Sequence, residues 1–542
     1  MDDKNVPHYK RRDRAAEVAG TFEWLITAFV LAFVFRAFVM EAFRIPTGSM
    51  ADTLKGAHFS LRCPQCGCKY EHGYVPQMYG FPQDTIPPGD VQLPQTRCPS
   101  CGYYRNADRF SITKMPVANG DRILVLKCVY QFLEPRRWDV VVFKNPLNPG
   151  ENYIKRLIGL PGETIEIMDG DVYINGQIAR KPDAVQDELW MLVYDNDFQP
   201  VNTDLRAFNG QRWESPFDFG QSKWTINQDS PTQLFLDSPA EQINTLTYGK
   251  LSANDFRTCY AYNDVRMLGR MPQCSDLMVR FYSQVHGPQG SIGAGLSKYG
   301  TDYKAWVDFT GKMTIVKDSD GQKSVLAEAE IGPLLPDKLT LFKFASVDHE
   351  LILQFGNTRI SHDIGRLPQA MGTDRSSPPR AEIFGSGKVT LSHLAVFRDI
   401  HYTGELPNSA RPARAIEGSP FTLNPDEFFV LGDNSPNSED GRWWDQPDVA
   451  SRGFSPPRAG VVPRDYLVGK ALFVYWPSGF AFPWPENLKS FLLEKGARNP
   501  LVRVLNAVVS LRWIPNVGQM RFVYGGCRTR LGEAPSRSRT DQ

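Results

Sequence analysis

Three short stretches hold residues able to do chemistry together. One is a serine in Ile-Pro-Thr-Gly-Ser-Met (Ile45 to Met50), the second a lysine in Tyr-Ile-Lys-Arg-Leu (Tyr153 to Leu157), and the third a polar cluster in GDNSPNSEDGR (Gly432 to Arg442). A serine hydroxyl is a weak nucleophile until a base takes its proton, and a lysine kept neutral by an apolar surround can be that base. Lys155 lies in an alternating stretch where Tyr153, Lys155 and Leu157 share one strand face. An unpaired ammonium is costly to bury, so this lysine is either a misfit or a functional group. Taken alone, Gly48-Ser49 reads as a turn and the 432–442 cluster as a polar loop.

A different chemistry is written in Cys63-Pro-Gln-Cys66-Gly and Cys98-Pro-Ser-Cys101-Gly. Four thiolates in paired knuckles suit a tetrahedral structural zinc, as in a zinc ribbon. Two disulfides are the competing reading, favoured by an oxidising compartment; cysteines three apart seldom bridge outside redox sites, so metal is preferred. Cys68 is a spare able to replace Cys66. Cys259 and Cys274 are a candidate disulfide, and Cys128 and Cys527 have no assignable role.

These residues need elements to position them. Lys4, Lys10, Arg11, Arg12 and Arg14 precede an apolar run, Trp24 to Met40, interrupted only by Thr27 and Arg36. Counted from Thr21 the run is long enough for one membrane-spanning helix, and the basic flank puts the N-terminus in the cytoplasm and the rest outside. No small-residue cleavage site follows, which disfavours a removable leader, and the basic flank favours an anchor over the other alternative, a buried core helix. Val140 to Phe143 reads as a buried strand, as does Phe428 to Leu431, which runs into the Gly-Asp-Asn turn. At 542 residues the chain predicts two to four domains. With 61 basic against 60 acidic residues, nothing points to nucleic acid as partner.

Together the stretches resemble the type I signal peptidase family, membrane-bound serine proteases that cleave signal peptides from exported preproteins. The resemblance covers the anchor, FRIPTGSM (Phe43 to Met50), GDRILV (Gly120 to Val125), WDVVVFKNP (Trp138 to Pro146), YIKRLIGLPGE (Tyr153 to Glu163), the Gly432 to Arg442 block, YLVGKALFVYWP (Tyr466 to Pro477) and a closing strand in Ile514 to Phe522. It implies Ser49 as nucleophile and Lys155 as general base. The Thr47 hydroxyl and the Ser49 N–H match oxyanion donors. Ser438 matches the hydroxyl that orients the lysine, Asp440 and Arg442 a bracing pair, and Gly432, Asp433 and Asn434 the supporting turn. Phe43, Ile45, Pro46, Met50, Val142, Tyr153 and Ile154 match the pockets for small residues before the cleaved bond. No cofactor is implied for catalysis, and the eight histidines need no catalytic role. Asp52 departs from the pattern, standing where the family usually has proline.

The expected architecture is mainly β. A basic segment (1–20) and an anchor (21–40) precede a signal-peptidase-type core in two parts (41–60 with 110–180, and 418–525). A four-cysteine, zinc-ribbon-like insert occupies 61–109, and 181–417 is a β-sandwich insertion whose alternating strands, from DLMVRFYSQV at Asp276 to KVTLSHLAVFRDIHY at Lys388, resemble concanavalin-A-like jelly rolls of the laminin-G and glucanase type. The ligand of that insertion is unspecified. An amphipathic segment near 485–512 and an Arg/Ser-rich, disordered tail (526–542) complete the chain.

Other readings are weaker. A soluble Ser/Lys self-cleaving repressor should carry a DNA-binding N-terminus in place of the apolar run. A membrane-anchored carbohydrate- or protein-binding protein with an inactive core leaves Ser49, Lys155 and the 432–442 block unexplained. Endoplasmic-reticulum peptidases resemble a Ser/His arrangement, and mitochondrial subunits are small.

Overall fold

The computed structural model describes residues 14–82, 85–87, 89–105, 113–208, 210–226, 230–249, 254–319, 322–365, 375, 377–404, 413–445, 457–478 and 516–525. Lys4, Lys10, Arg11, Arg12, the 485–512 segment, Cys527 and the tail lie outside them.

Helix α1, Arg14–Val34, runs on as a π-helical turn, Phe35–Val39. It starts ahead of the expected boundary at 21 because Ala15, Ala16 and Glu17 are good helix formers. Its apolar part, Val18–Val39, has 22 residues, about 33 Å at 1.5 Å per residue, against about 30 Å of hydrocarbon. Trp24, Phe29, Leu31 and Phe33 are all exposed. Apolar side chains with no protein to cover them fit a lipid surround, and the helix fits a membrane-anchored protein.

The chain passes from the π-turn straight into β1 (Met40–Arg44), and the core continues with β2 (Arg122–Leu126), β3 (Val140–Lys144), β4 (Asn152–Gly159), β5 (Glu427–Leu431) and β6 (Leu467–Trp476). In space they form an antiparallel sheet in the order β1-β2-β6-β3-β4-β5. Alternation sends Ile123, Val125, Val140, Val142 and Val474 to one apolar cluster, and Val141, Phe143, Leu157, Phe428 and Val430 to another. Because both faces are covered, β3 reads as an unbroken apolar run. A long stretch of chain separates β4 from β5, yet these two are paired neighbours, Arg156 opposite Leu431 and Leu157 opposite Val430.

All the strands of a separate 13-stranded sheet system lie between β4 and β5 in the chain. Its spine is two long strands, Leu277–Lys298 and Arg380–Arg398, paired to each other with a register shift between Val285 and Gly290. The first also pairs Thr340–Val347 before the shift and Thr301–Asp308 after it. Phe281 and Phe342 stack at 4.6 Å inside its apolar core. The strand Gln322–Glu330 escaped the periodicity because it is exposed or half-buried throughout and its apolar side carries only Val325, Ala327 and Ala329.

The Cys259–Cys274 disulfide is not formed; both thiols are free. The ladder there pairs Arg257 with Gln273, and the Cys274 N–H donates to the Phe256 carbonyl, so Cys259 lies out of step. Its Sγ turns to the Tyr260 carbonyl (3.8 Å), while Cys274 Sγ turns to the Asp276 carbonyl (3.5 Å).

Candidate active site

The serine loop leaves β1 and is pinned by its own apolar residues. Ile45 is 3% exposed and Met50 and Leu54 are fully buried; the Ile45 N–H donates to the Asp121 carbonyl (2.8 Å) and the Leu54 N–H to the Met50 carbonyl (2.7 Å). Ser49 sits in the turn between these anchors. Strand β4 brings Lys155 to it from 106 residues away in sequence, with Nζ donating to Ser49 Oγ at 2.6 Å. Lys155 is opposite Val141 and 4% exposed. Burial lowers its pKa from 10.5 to about 8; Asp440 works against that shift and Arg442 with it. Loss of one proton would reverse this hydrogen bond and let the lysine accept from the hydroxyl.

The 432–442 block closes the site from β5. The Asn434 N–H donates to the Ser49 carbonyl and its Nδ2 to the Gly48 carbonyl, both at 3.0 Å. The Gly432 N–H donates to Asp440 Oδ2 (2.9 Å), and Asp440 is paired with Arg442 at 2.7 Å. Arg442 goes on to the Thr403 carbonyl and to Ser435 Oγ. Asp433 takes two parallel bonds from Arg156, each 2.7 Å. Asp433, Asp440, Arg442 and Arg156 are fully buried, so each charge is matched where water cannot serve it.

Thr47 is exposed at the rim of the serine loop. Ser438 is fully buried but its Oγ has no hydrogen-bond partner among the described residues, so the expected bond to Lys155 is not made. Phe43, Ile45, Met50, Val142 and Ile154 fall in one apolar cluster. Tyr153 does not join them: it is on the opposite face of β4, its ring 5.6 Å from Lys155 Nζ and 6.4 Å from the Trp444 ring. Pro46 serves the loop through its carbonyl, which accepts from the Ala57 N–H (3.3 Å). Asp52 borders a cavity of about 200 Å³ shared with Tyr260, Asn263 and Arg398.

Sequence reasoning passed over Arg156 and the insertion residues that touch the site. The signal for Arg156 was available: consecutive cations on a strand buried on both faces demand two separate partners, and Asp433 is the second.

The four knuckle cysteines converge. Cys63 and Cys101 sulfurs are 3.7 Å apart and those of Cys66 and Cys98 3.6 Å, with no S–S bond. A tetrahedron with metal–sulfur bonds of about 2.3 Å has edges of about 3.8 Å, so the donor set fits zinc. Gly67 and Gly102 both have φ of 76°, and their N–H groups return to Cys63 and Cys98 carbonyls, the same turn twice. Cys68 is not among the four; its Sγ points to the Lys69 carbonyl.

The family described as signal peptidase, peptidase S26, matches residues 111–209 and 399–476. The chain is similar to signal peptidase I of Rickettsia canadensis (strain McKiel), 32% identical over 155 residues, 28% of this chain and 42% of the relative. It is similar also to signal peptidase I of Leptolyngbya laminosa, 48% identical over 65 residues, 10% of this chain and 32% of the relative. The chain thus spans less than half the length of these relatives. Among solved structures, a carbohydrate-binding module from Bacillus subtilis is 11% identical and covers 34% of this chain and 92% of its own at a TM-score of 0.21, a likeness too small to carry weight. Ser49 lies outside both stretches matched by the family.

Proposed function

We propose that the chain is a membrane-anchored serine endopeptidase that removes signal peptides from exported preproteins through a Ser49/Lys155 dyad. The observation that carries this is the 2.6 Å contact between Lys155 Nζ and Ser49 Oγ at a lysine whose pKa burial lowers to about 8. Neutral Lys155 takes the hydroxyl proton as Ser49 Oγ attacks the scissile carbonyl. The Ser49 N–H and the Thr47 hydroxyl receive the oxyanion. The lysine then gives its proton to the leaving amine and draws one from the water that hydrolyses the acyl-enzyme. Ser438, whose buried hydroxyl has no partner among the described residues, takes over Lys155 once Ser49 Oγ is acylated. Phe43, Ile45, Met50, Val142 and Ile154 form the wall for the small side chains before the cut, with Pro46 at its margin. The helix is a single-pass anchor with its N-terminus cytoplasmic and the catalytic part outside.

The test is a peptide spanning an Ala-x-Ala site incubated with detergent-solubilised enzyme. Cleavage by the wild type and none by Ser49→Ala is the expected result; equal cleavage by both excludes the assignment. The lysine also sets the pH dependence. It must be neutral to act, so kcat/KM is expected to rise about tenfold per pH unit below about 8 and to level off above it. A rate independent of pH between 6 and 9 would contradict this.

Cys63, Cys66, Cys98 and Cys101 hold a structural zinc in this reading, which supplies no catalytic step. Metal analysis should find one zinc per chain, and a chelator should lower the thermal midpoint. A fully reduced, folded protein without zinc would refute it. The 181–417 insertion is read as a β-sandwich of the jelly-roll type and 61–109 as a zinc-ribbon-like insert.

A further inference from the structure

The turn Tyr260-Ala261-Tyr262-Asn263 of the large insertion packs against the serine loop, and its contacts converge on the backbone that carries Ser49. The Tyr262 ring lies on Gly48, where a Cβ would overlap it, and Tyr262 Oη donates to the Ala57 carbonyl at 3.0 Å. Tyr260 Oη donates to the Asp433 carbonyl at 2.9 Å. Asn263 and Asn434 exchange two amide hydrogen bonds, each 2.7 Å, and the same Asn434 Nδ2 donates to the Gly48 carbonyl. Asn263 is 4% exposed and Asn434 fully buried.

The Gly48 carbonyl and the Ser49 N–H are the two ends of one peptide unit. That unit is planar, and in the trans form its C=O and N–H point in opposite directions. Fixing the carbonyl therefore aims the amide. We infer that Asn263 is a positioning residue of the insertion: through Asn434 it fixes the Gly48–Ser49 peptide, so that the Ser49 N–H meets the oxyanion of the tetrahedral intermediate. This rests on Ser49 being the nucleophile of the proposed reaction. An insertion that would otherwise be an appendage thus completes the site from outside the family-like core.

A donor aimed at charge that appears only in the transition state affects kcat more than KM. Asn263→Ala is expected to lower kcat for the signal-peptide substrate about 10- to 100-fold, with KM within threefold. Asn434→Ala should lose at least as much, and the double variant no more than Asn434→Ala alone, because one path is being cut twice. If Asn263→Ala melts early, Asn263→Leu keeps the volume, removes both hydrogen bonds and carries the same expectation. A kcat within twofold of wild type in the folded variant, or losses that multiply in the double variant, overturn the inference. A fluorophosphonate reacting at Ser49 separates it from the peptidase reading. If wild type cleaves no peptide but Ser49 is phosphonylated, the substrate assignment fails, and the same comparison is made on the phosphonylation rate. If Ser49 reacts with neither, both readings fall.

Discussion

Lys155→Met is expected to abolish peptide cleavage while making the protein harder to melt. The two effects have one cause. Burial holds the lysine at about 8 in the folded protein, against 10.5 for an ordinary lysine, which corresponds to about 3 kcal/mol of unfavourable ammonium desolvation. Methionine has nearly the same length and no charge to desolvate. It forfeits the bond to Ser49 Oγ, worth about 1 kcal/mol, so a net gain of about 2 kcal/mol and a few degrees in thermal midpoint remains. Below pH 8 the lysine is protonated in both the folded and unfolded chains and the full cost is present. Between pH 8 and 10.5 the folded chain sheds the proton while the unfolded one keeps it, and the cost fades. The excess stability of Lys155→Met should therefore be largest below pH 8 and shrink toward pH 10.5. Cleavage should fall by about 10⁴-fold or more, since a serine hydroxyl without its base is left with the oxyanion site alone. Melting curves at pH 7 and pH 10, beside a cleavage assay, read both effects; retained activity would sink the dyad.

How far the sequence shows this depends on whether a contact leaves a local trace. Val140 to Phe143 announces a buried strand because side chains covered on both faces leave no polar alternation. The knuckles announce themselves through spacing, because a pair of cysteines three residues apart is a local object. The meeting of Ser49 with Lys155 is not local: strand order β1-β2-β6-β3-β4-β5 makes it, and only the resemblance to a known family brought the two residues together on paper. The Tyr260 to Asn263 turn carries no periodicity and no motif, and its docking on Gly48 follows from tertiary packing alone.

Charge at the join between core and insertion follows the same logic. Asp171, from the core, meets Asp276 and Asp348 of the insertion closely enough for their carboxylates to share a cation. The cation is already there as protein. Lys298 pairs with Asp276 and lies 3.7 Å from Asp171, and Lys181 reaches Asp348 at 2.5 Å and Asp399 at 2.9 Å. Removing one lysine would leave uncompensated buried carboxylates, so this network ties the insertion to the core and adds no site.

Gly432→Ala is expected to cost the enzyme about 10²-fold or more in kcat without unfolding it, and the reason is not backbone freedom. Gly432 does not have the left-handed φ that reserves a position for glycine. A Cβ there would instead overlap Ser438 Oγ and sit 2.6 Å from the Ser49 carbonyl oxygen. The Ser438 hydroxyl is held by no hydrogen bond among the described residues and can turn away, but the Ser49 carbonyl cannot. The Ser49 carbonyl is held by the Asn434 N–H, and the Gly432 N–H is held by Asp440, itself clamped by fully buried Arg442. The methyl group must therefore displace the serine loop from β5, opening the 2.6 Å contact between Lys155 and Ser49. A shift of about 1 Å between reacting groups is enough for a 10²-fold loss. Because the strain falls on the nucleophile and not on the apolar wall, KM should change little. Stopped-time cleavage of the Ala-x-Ala peptide over a range of concentrations would separate the two constants. A Gly432→Ala enzyme with unchanged kcat would mean that the serine loop is free to move away from β5, and that the close approach at Gly432 plays no part in holding Ser49 to its lysine.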